Sequence, residues 1–175
     1  MRKLKLEELN RQNVDTFKDA PKLPVIVVLD NIRSALNIGS IFRTCDAFAL
    51  EEIYLCGISA TPPNREITKT AIGATESVKW SHHPDIRQAI KQLKASGYSI
   101  VGIEQTDSSI SLQDFTQHPR KIAVVFGNEV EGISDDILQE LDCCIEIPQY
   151  GTKHSLNVSV CAGIVLWTIS EMSRR

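Results

Sequence analysis

The chain has 175 residues, which is enough for one domain with a sizeable core. Its hydrophobic fraction of 42% and charged fraction of 23% are ordinary for a globular protein, and no apolar stretch is long enough to span a bilayer. A net charge of −3 gives no sign of a nucleic-acid binder, so the composition by itself argues against an RNA partner.

The N-terminus and the cysteines indicate the compartment. The first ten residues carry charges where a signal peptide needs an apolar segment, so we expect a cytoplasmic protein with no membrane partner. The five cysteines are odd in number and form no CxxC pair, and the four histidines lack the spacing of metal ligands. These features predict reduced thiols and no metal site.

Residues 1–22 are predicted to form a helical extension ahead of a main domain at 23–175. A modest apolar stripe at helical spacing consists of Leu6, Leu9, Val14 and Phe17. Pro21 and Pro24 end this segment, because proline cannot continue a helix.

Short apolar runs then alternate with segments of helical periodicity. Strands are predicted at Val25–Leu29, Glu52–Leu55, Tyr98–Ile103, Ile122–Phe126 and Cys144–Ile147. Helices are predicted at Asn37–Leu50, Pro84–Ser96, Ser134–Leu141 and Ser155–Met172. This alternation is typical of an α/β fold with a mostly parallel sheet and helices on both faces. In such sheets, ligands bind beyond the carboxyl ends of the strands.

Three loops are expected at that edge. The first follows the strand that ends at Leu29 and leads into the helix predicted at Asn37–Leu50. Arg43 lies one turn after Gly39, so its side chain should lean back over the glycine, where a ligand could reach it. Simpler explanations remain for each residue, since Asn37 could cap the helix, Gly39 could permit close packing, and Arg43 could be a solvated charge.

The second loop, Gly127–Gly132, follows the strand that ends at Phe126. Its glycines permit unusual backbone angles or close approach of a ligand. It is not the GxGxxG pattern of dinucleotide-binding proteins, because Glu129 replaces the middle glycine and its charge would repel a pyrophosphate.

The third loop runs from Ile147 to Asn157, and Ser155 is expected to cap the helix that follows. That helix is apolar on nearly every side, so something must enclose it on more than one face. The core can cover one side, and a second subunit could cover another.

Together the three loops resemble those of the SpoU (TrmH-type) RNA 2′-O-ribose methyltransferases of the SPOUT superfamily. The first family motif matches Asn37, Gly39 and Arg43. The second matches Phe126, Gly127, Glu129 and Gly132. The third matches Ile147, Pro148, Gly151, Ser155, Leu156, Asn157, Val158 and Ser159. The resemblance extends from about Val25 to Trp167, and departs at Gln149, where Met is usual, and at Cys161, where a small Ala is common.

The resemblance implies an α/β fold whose C-terminal segment forms a trefoil knot, a homodimer, and S-adenosylmethionine as cofactor. The cofactor would be bound by residues at Ile103, Gly127, Ile147, Ser155 and Leu156. The catalytic residues implied are Arg43, Asn37, Glu129 and Asn157.

Arg43 is the key residue in this family. An arginine stays protonated in proteins, so Arg43 could stabilise the developing alkoxide or bind a phosphate more readily than act as the general base, whose identity stays open. Asn37 and Asn157 would orient groups, and Glu129 would position Arg43 or balance its charge.

The expected substrate is RNA, with tRNA favoured over rRNA because the sequence shows no large RNA-binding extension. Phosphate contacts are expected from Arg33, Arg65, Lys69 and Lys153, although each could be a solvated surface charge. The N-terminal extension could add RNA contacts or support the dimer. The alternatives are a catalytically silent RNA-binding knot protein and a nucleotide hydrolase, and the latter is disfavoured because no Walker loop or nucleophile elbow is present.

Overall fold

The computed structural model describes residues 1–116 and 119–174. Over these residues, seven parallel strands form one sheet in the order β3–β2–β1–β6–β4–β7–β5. The strands are β1 (Leu23–Asp30), β2 (Leu50–Cys56), β3 (Trp80–His83), β4 (Ser99–Ile103), β5 (Ile110–Ser111), β6 (Ile122–Phe126) and β7 (Cys143–Glu146). At the sheet centre, Val27 of β1 is in register with Ile53 on one side and Val124 on the other.

Helices cover both faces of the sheet, as the sequence predicts. They are α1 (Val14–Asp19), α2 (Ala35–Phe48), α3 (Arg65–Ala71), α4 (Ala74–Ser77), α5 (Ile86–Ala95), α6 (Asp135–Leu138) and α7 (Val158–Ser173). Alternate side chains of β1 point to opposite faces, as in any strand. Val27 and Leu29 pack in the core beneath α2, α3 and α7, whereas Ile26 and Val28 pack in the core beneath α5 and α6.

The predicted elements are confirmed in kind, with shifted ends. Strand β6 has the predicted bounds, and the other four predicted strands differ by one or two residues at one or both ends. The helix predicted at Ser134–Leu141 is shorter, since α6 spans only Asp135–Leu138. Two edge strands, β3 and β5, and two helices, α3 and α4, were not predicted.

The predicted helical extension is divided into two short helices. A short 3-10 helix spans Leu6–Leu9 and ends at Asn10, whose left-handed backbone (φ 47°) separates it from α1. Lys22 donates from Nζ to the carbonyls of Phe17 and Ala20 at the end of α1 and lies 4.2 Å from the centre of the Phe17 ring. Helix α1 contacts α4, so the extension packs against the main domain.

No helix within the described ranges is long and apolar enough to cross a membrane.

Candidate active site

The carboxyl ends of β1, β6 and β7 bring the three motif loops together at one edge of the sheet. Glu129, from the loop after β6, reaches the start of α2. Its Oε2 accepts from the backbone N–H of Arg33 (2.8 Å), and its Oε1 accepts from the N–H of Ser34 (3.0 Å) and from Nδ2 of Asn37 (3.1 Å). One carboxylate therefore fixes the loop that carries the first motif.

Asn157 links the third motif to the same group. Its Nδ2 donates to Oδ1 of Asn37 at 3.1 Å. Its Oδ1 accepts from the backbone N–H groups of Ser159 (2.9 Å) and Val160 (3.3 Å), so Asn157 is the N-cap of α7. Asn157, Asn37 and Glu129 thus form a hydrogen-bonded chain, here called the motif network, that joins residues about 90 to 120 positions apart.

Neither the predicted Ser155 cap nor the alternative of an Asn37 cap is formed. Ser34, not Asn37, caps α2, since its side chain accepts from the N–H of Asn37. Ser155 does not cap α7, because the helix begins three residues later and Asn157 takes that place. Both asparagines therefore keep a side-chain group for the motif network.

Hydrogen bonding keeps Glu129 ionised. Partial burial acts to raise its pKa, but the N–H groups of Arg33 and Ser34 and the amide of Asn37 together outweigh that effect, so the pKa lies below its usual value. A carboxylate held in this way by three donors is a poor acceptor for a further proton.

A cavity of about 640 Å³, here called the motif cavity, opens beside the motif network. All five residues predicted to bind the cofactor line it, namely Ile103, Gly127, Ile147, Ser155 and Leu156. Its size is that of a small-molecule site. Apolar side chains from the ends of β4, β6 and β7 line part of it, and the carboxylates of Glu104, Glu129, Glu131 and Glu146 line another part.

Three further residues of this edge were missed by the sequence analysis. Glu104 accepts from the N–H of Ile133 (3.0 Å) and so holds the second motif loop. Gln105 donates from Nε2 to the carbonyl of His154 (2.9 Å), which fixes the third loop. Asn128 donates from Nδ2 to the carbonyl of Asn31 (2.7 Å). Each lies within two residues of the end of β4 or β6. That position, at the carboxyl end of a strand, is the sequence feature from which these residues could have been predicted.

The expected role of Gly39 is wrong. A Cβ at this buried position would lie 3.0 Å from Cα of Ile67 and closer still to the Ile67 carbonyl oxygen and Oγ1 of Thr70. The glycine therefore permits α3 to lie directly on α2, where Thr70 donates to the carbonyl of Leu36 at 2.9 Å. Packing, not access of a ligand to Arg43, requires a residue without a side chain here.

Arg43 lies on the exposed surface of α2. It makes no hydrogen bond or ion pair with any residue that the structure describes. The expected pairing with Glu129 is therefore not formed, because the Glu129 carboxylate is occupied by the start of α2. The guanidinium is left open to an external anion.

The four residues predicted to bind substrate are also exposed, and none forms an ion pair within the described part of the chain. Arg65 and Lys69 lie on α3, which packs on the motif helix α2. Arg33 precedes α2, and Lys153 lies in the third motif loop.

The five cysteines are free thiols. Burial raises the pKa of Cys56 to about 12 and that of Cys161 to about 11, with nearby carboxylates adding to both shifts, so these thiols stay protonated. No group of three or more potential metal ligands occurs among the residues described by the structure.

The SpoU rRNA Methylase family model matches residues 24–167, which include all three motif loops. The chain belongs to this family. It is 33% identical over 148 residues to a Mus musculus tRNA (guanosine(18)-2′-O)-methyltransferase, TARBP1, covering 82% of this chain and 9% of that protein. It is 30% identical over 152 residues to a Neisseria meningitidis 23S rRNA (guanosine-2′-O-)-methyltransferase, RlmB, covering 87% of this chain and 60% of that one. The chain thus spans less than two thirds of either relative.

A solved structure, the A. aeolicus TrmH/SpoU tRNA modifying enzyme, superposes with a TM-score of 0.80 at 27% identity. The match covers 92% of this chain and 80% of the A. aeolicus chain. The SpoU fold therefore includes nearly the whole of this chain.

Proposed function

We propose that this protein is an S-adenosylmethionine-dependent RNA methyltransferase that modifies a ribose 2′-hydroxyl, with tRNA as its substrate. The observation that carries this proposal is the motif network: Asn37, Glu129 and Asn157, one from each motif loop, are hydrogen-bonded to one another beside the motif cavity. Membership of the SpoU family and the names of the relatives support the same reaction.

The lining of the motif cavity fits S-adenosylmethionine. Apolar side chains such as Ile103, Ile147 and Leu156 suit an adenine, and the carboxylates of Glu131 and Glu146 suit the positive charges of the sulfonium and the amino group. When bound, this cofactor supplies an electrophilic methyl group. Gly127 allows the two ends of the second motif loop to lie close together, because a Cβ at this position would collide with the backbone of Gly132.

The protein's own part in the reaction is to place the ribose and to stabilise charge. The 2′-hydroxyl becomes a good nucleophile only as its proton leaves, so a fixed positive group near the developing alkoxide lowers the barrier. Arg43 is exposed, permanently charged and free of partners among the described residues, so it can stabilise that oxygen or bind the adjacent phosphate. Glu129 serves the site by holding Asn37 and the α2 loop in place.

The preference for tRNA follows the names of the relatives. The A. aeolicus structure is a tRNA modifying enzyme and the M. musculus relative is a tRNA methyltransferase, whereas the N. meningitidis relative is an rRNA methyltransferase. The cations Arg33, Arg65, Lys69 and Lys153 would contact the RNA backbone.

The same proposal includes a cytoplasmic homodimer with a trefoil knot in its C-terminal segment. Support for the dimer comes from α7, whose Val160, Ile164 and Trp167 are 53%, 40% and 54% exposed along one stripe. A stripe of exposed apolar residues at helical spacing is a common feature of a protein interface.

The test has two arms. In a thermal melt, S-adenosylmethionine should raise the melting temperature, whereas NAD and ATP at matched concentrations should not, since only a ligand of the folded state stabilises it. With methyl-labelled cofactor, tRNA should be labelled in preference to rRNA. Labelling of rRNA alone would overturn the substrate, and no labelling of any RNA, despite cofactor binding, would favour the silent RNA-binding protein.

A further inference from the structure

A second cavity opens at the carboxyl edge of the sheet, on the other side of the second motif loop. It has a volume of about 490 Å³ and is here called the Asp30 cavity. Its lining includes Asp30, Asn31, Arg33, Asn128, Glu131 and Ser134. None of the three motifs accounts for Asp30, which ends the central strand β1.

The carboxylate of Asp30 is buried and has no cation partner among the residues that the structure describes. The residue is 4% exposed, and its Oδ1 accepts one hydrogen bond, from Nδ2 of Asn31 at 2.9 Å. Its second oxygen has no hydrogen-bond partner among the described residues. The comparably buried Glu52 differs, because Lys79 neutralises it at 2.8 Å. A buried carboxylate without a cation is costly, and such groups are retained where a ligand needs them.

The surrounding backbone holds this carboxylate in position. Asn31 has a left-handed backbone (φ 53°), and its Oδ1 accepts from the N–H of Ile58 at 3.1 Å while its Nδ2 binds Asp30. Asn128 donates to the carbonyl of Asn31 from the opposite side. The cavity is therefore organised before any ligand enters.

The Asp30 cavity adjoins the motif network. Arg33 lines the Asp30 cavity, and its backbone N–H donates to Glu129, which lines the motif cavity. Asn128 and Glu131 line both cavities. The two cavities therefore meet at the second motif loop, and a nucleotide bound at the motif network can extend its base toward the Asp30 cavity.

We propose that the Asp30 cavity binds the base of the target nucleotide and that Asp30 selects guanine. This inference rests on the proposed function. The Watson–Crick edge of guanine presents two adjacent donors, N1–H and N2–H, to a group that can only accept. Adenine and cytosine each place an acceptor beside a donor, and uracil places acceptors on both sides of one donor, so each would bring an acceptor against the carboxylate. The exposed Arg33 can bind a neighbouring phosphate.

The effect of Asp30 on the pH dependence of stability distinguishes a ligand-binding residue from a structural one. Burial raises its pKa to about 6, with the nearby Asp136 adding to the shift. Because the folded pKa is raised, ionisation of Asp30 lowers the stability of the fold as pH rises from the ordinary aspartate pKa to about 6, and that cost remains at neutral pH. The other charged groups lining the cavity are Arg33 and Glu131, and both are exposed.

The experiment compares the native chain with Asp30→Asn, whose side-chain oxygen can still accept from Asn31. The control is Asp114→Asn, an exposed position lining a separate cavity with Ser99, the first residue of β4. Products made from bulk tRNA are digested to nucleosides and identified by mass spectrometry. Separately, binding of GMP, AMP, CMP and UMP to each protein is measured by saturation-transfer NMR.

We expect 2′-O-methylguanosine as the main product of the native chain and a preference for GMP among the four nucleotides. Asp30→Asn should lower kcat/KM for tRNA by about 10-fold or more and remove the GMP preference, with cofactor affinity unchanged. It should also raise the melting temperature at pH 7.5 but not at pH 4, whereas Asp114→Asn should change none of these quantities.

Two results would overturn the inference while leaving the methyltransferase intact: methylation of another base by the native chain, or full activity of Asp30→Asn. A lower melting temperature of Asp30→Asn at pH 7.5 would also overturn it, since Asp30 would then be a structural residue. If the native chain methylates no RNA, the proposed function fails. The NMR measurement of GMP, AMP, CMP and UMP binding then still tests the guanine site. Loss of a GMP preference in Asp30→Asn supports the guanine site, whereas equal binding of all four nucleotides, or of none, contradicts it.

Discussion

The motif network and the cations proposed to contact RNA differ in their partners. In the motif network, which is the closed side of the site, Glu129, Asn37 and Asn157 are hydrogen-bonded to one another and to the backbone. On the open side, Arg43 and the four cations Arg33, Arg65, Lys69 and Lys153 are exposed and have no ion-pair partner in the part of the chain that the structure describes. The residues that join the motif loops are thus satisfied within the fold, whereas the proposed RNA contacts are open to solvent.

Substitution of Arg43 tests the open side most severely. Arg43→Ala should reduce methyl transfer by about 100-fold or more, because it removes the fixed charge next to the developing alkoxide. Cofactor affinity, measured by calorimetry, should not change. The matched control is Arg120→Ala, an exposed arginine just before β6 at the amino end of the sheet, which should keep native activity. More than a tenth of native activity in folded Arg43→Ala would contradict the role.

Gly39 tests whether the scaffold beneath Arg43 depends on close packing. Gly39→Ala should lower the free energy of unfolding by about 2 kcal/mol, because the new Cβ collides with the backbone of α3 at Ile67. Denaturant unfolding measures the loss. Gly151→Ala, where a Cβ meets nothing within 4 Å, should change stability by less than about 0.5 kcal/mol. Equal stability of Gly39→Ala and the native chain would restore the ligand-access role.

Glu129→Gln tests the closed side. The variant has one carbonyl oxygen where the native residue has two acceptors, so an amide group must face the N–H donors of Arg33 or Ser34. We expect a loss of about 1 to 2 kcal/mol at neutral pH. Because the folded pKa of Glu129 is lowered, the difference from the native chain is full above the ordinary glutamate pKa and is lost as the pH falls from there through the lowered folded pKa.

Urea unfolding at several pH values checks this prediction, with Glu131→Gln as the control. Glu131 is exposed, and its side chain has no hydrogen bond with any described residue. A pH-independent difference for Glu129→Gln would mean that the carboxylate charge does not hold the loop.

The smallest expected effect per residue is on tRNA affinity, and it comes from the exposed cations Arg33, Lys69 and Lys153. Replacing Arg33, Lys69 and Lys153 together with Ala should weaken tRNA binding by about 10-fold at 150 mM salt and reduce the salt dependence of the affinity. Cofactor affinity should stay the same. A control with Lys91, Lys94 and Arg120 replaced removes the same charge from the opposite face and the amino end of the sheet. Equal weakening by both triple variants would mean that net charge, not position, governs binding.

Much of the fold was predictable from the sequence because its strands are local apolar runs. The strand Ile122–Phe126 is apolar throughout and buried on both sides, so its bounds agree with the prediction. Strand β3 was missed because an edge strand can carry the polar residues Ser81, His82 and His83. Helix α3 was missed because its threonines and charges leave only Ile67 and Ala71 as buried positions.

The candidate site was predictable in its members but not in its contacts. The motifs identify Asn37, Glu129 and Asn157, and the five predicted cofactor residues line one cavity. The hydrogen bonds joining them connect loops up to 120 positions apart, and no local pattern reports such a pairing. For the same reason, the Gly39 pattern could not distinguish room for a ligand from room for α3.

The chemical position of the transferred methyl group tests the central claim most directly. The native chain is incubated with methyl-labelled S-adenosylmethionine and tRNA, and the labelled RNA is hydrolysed with alkali, which cannot cleave next to a 2′-O-methylated ribose. The label should be recovered in an alkali-stable dinucleotide, and Arg43→Ala should yield almost none. Recovery of the label in mononucleotides, which would place the methyl group on a base, would contradict the proposed reaction.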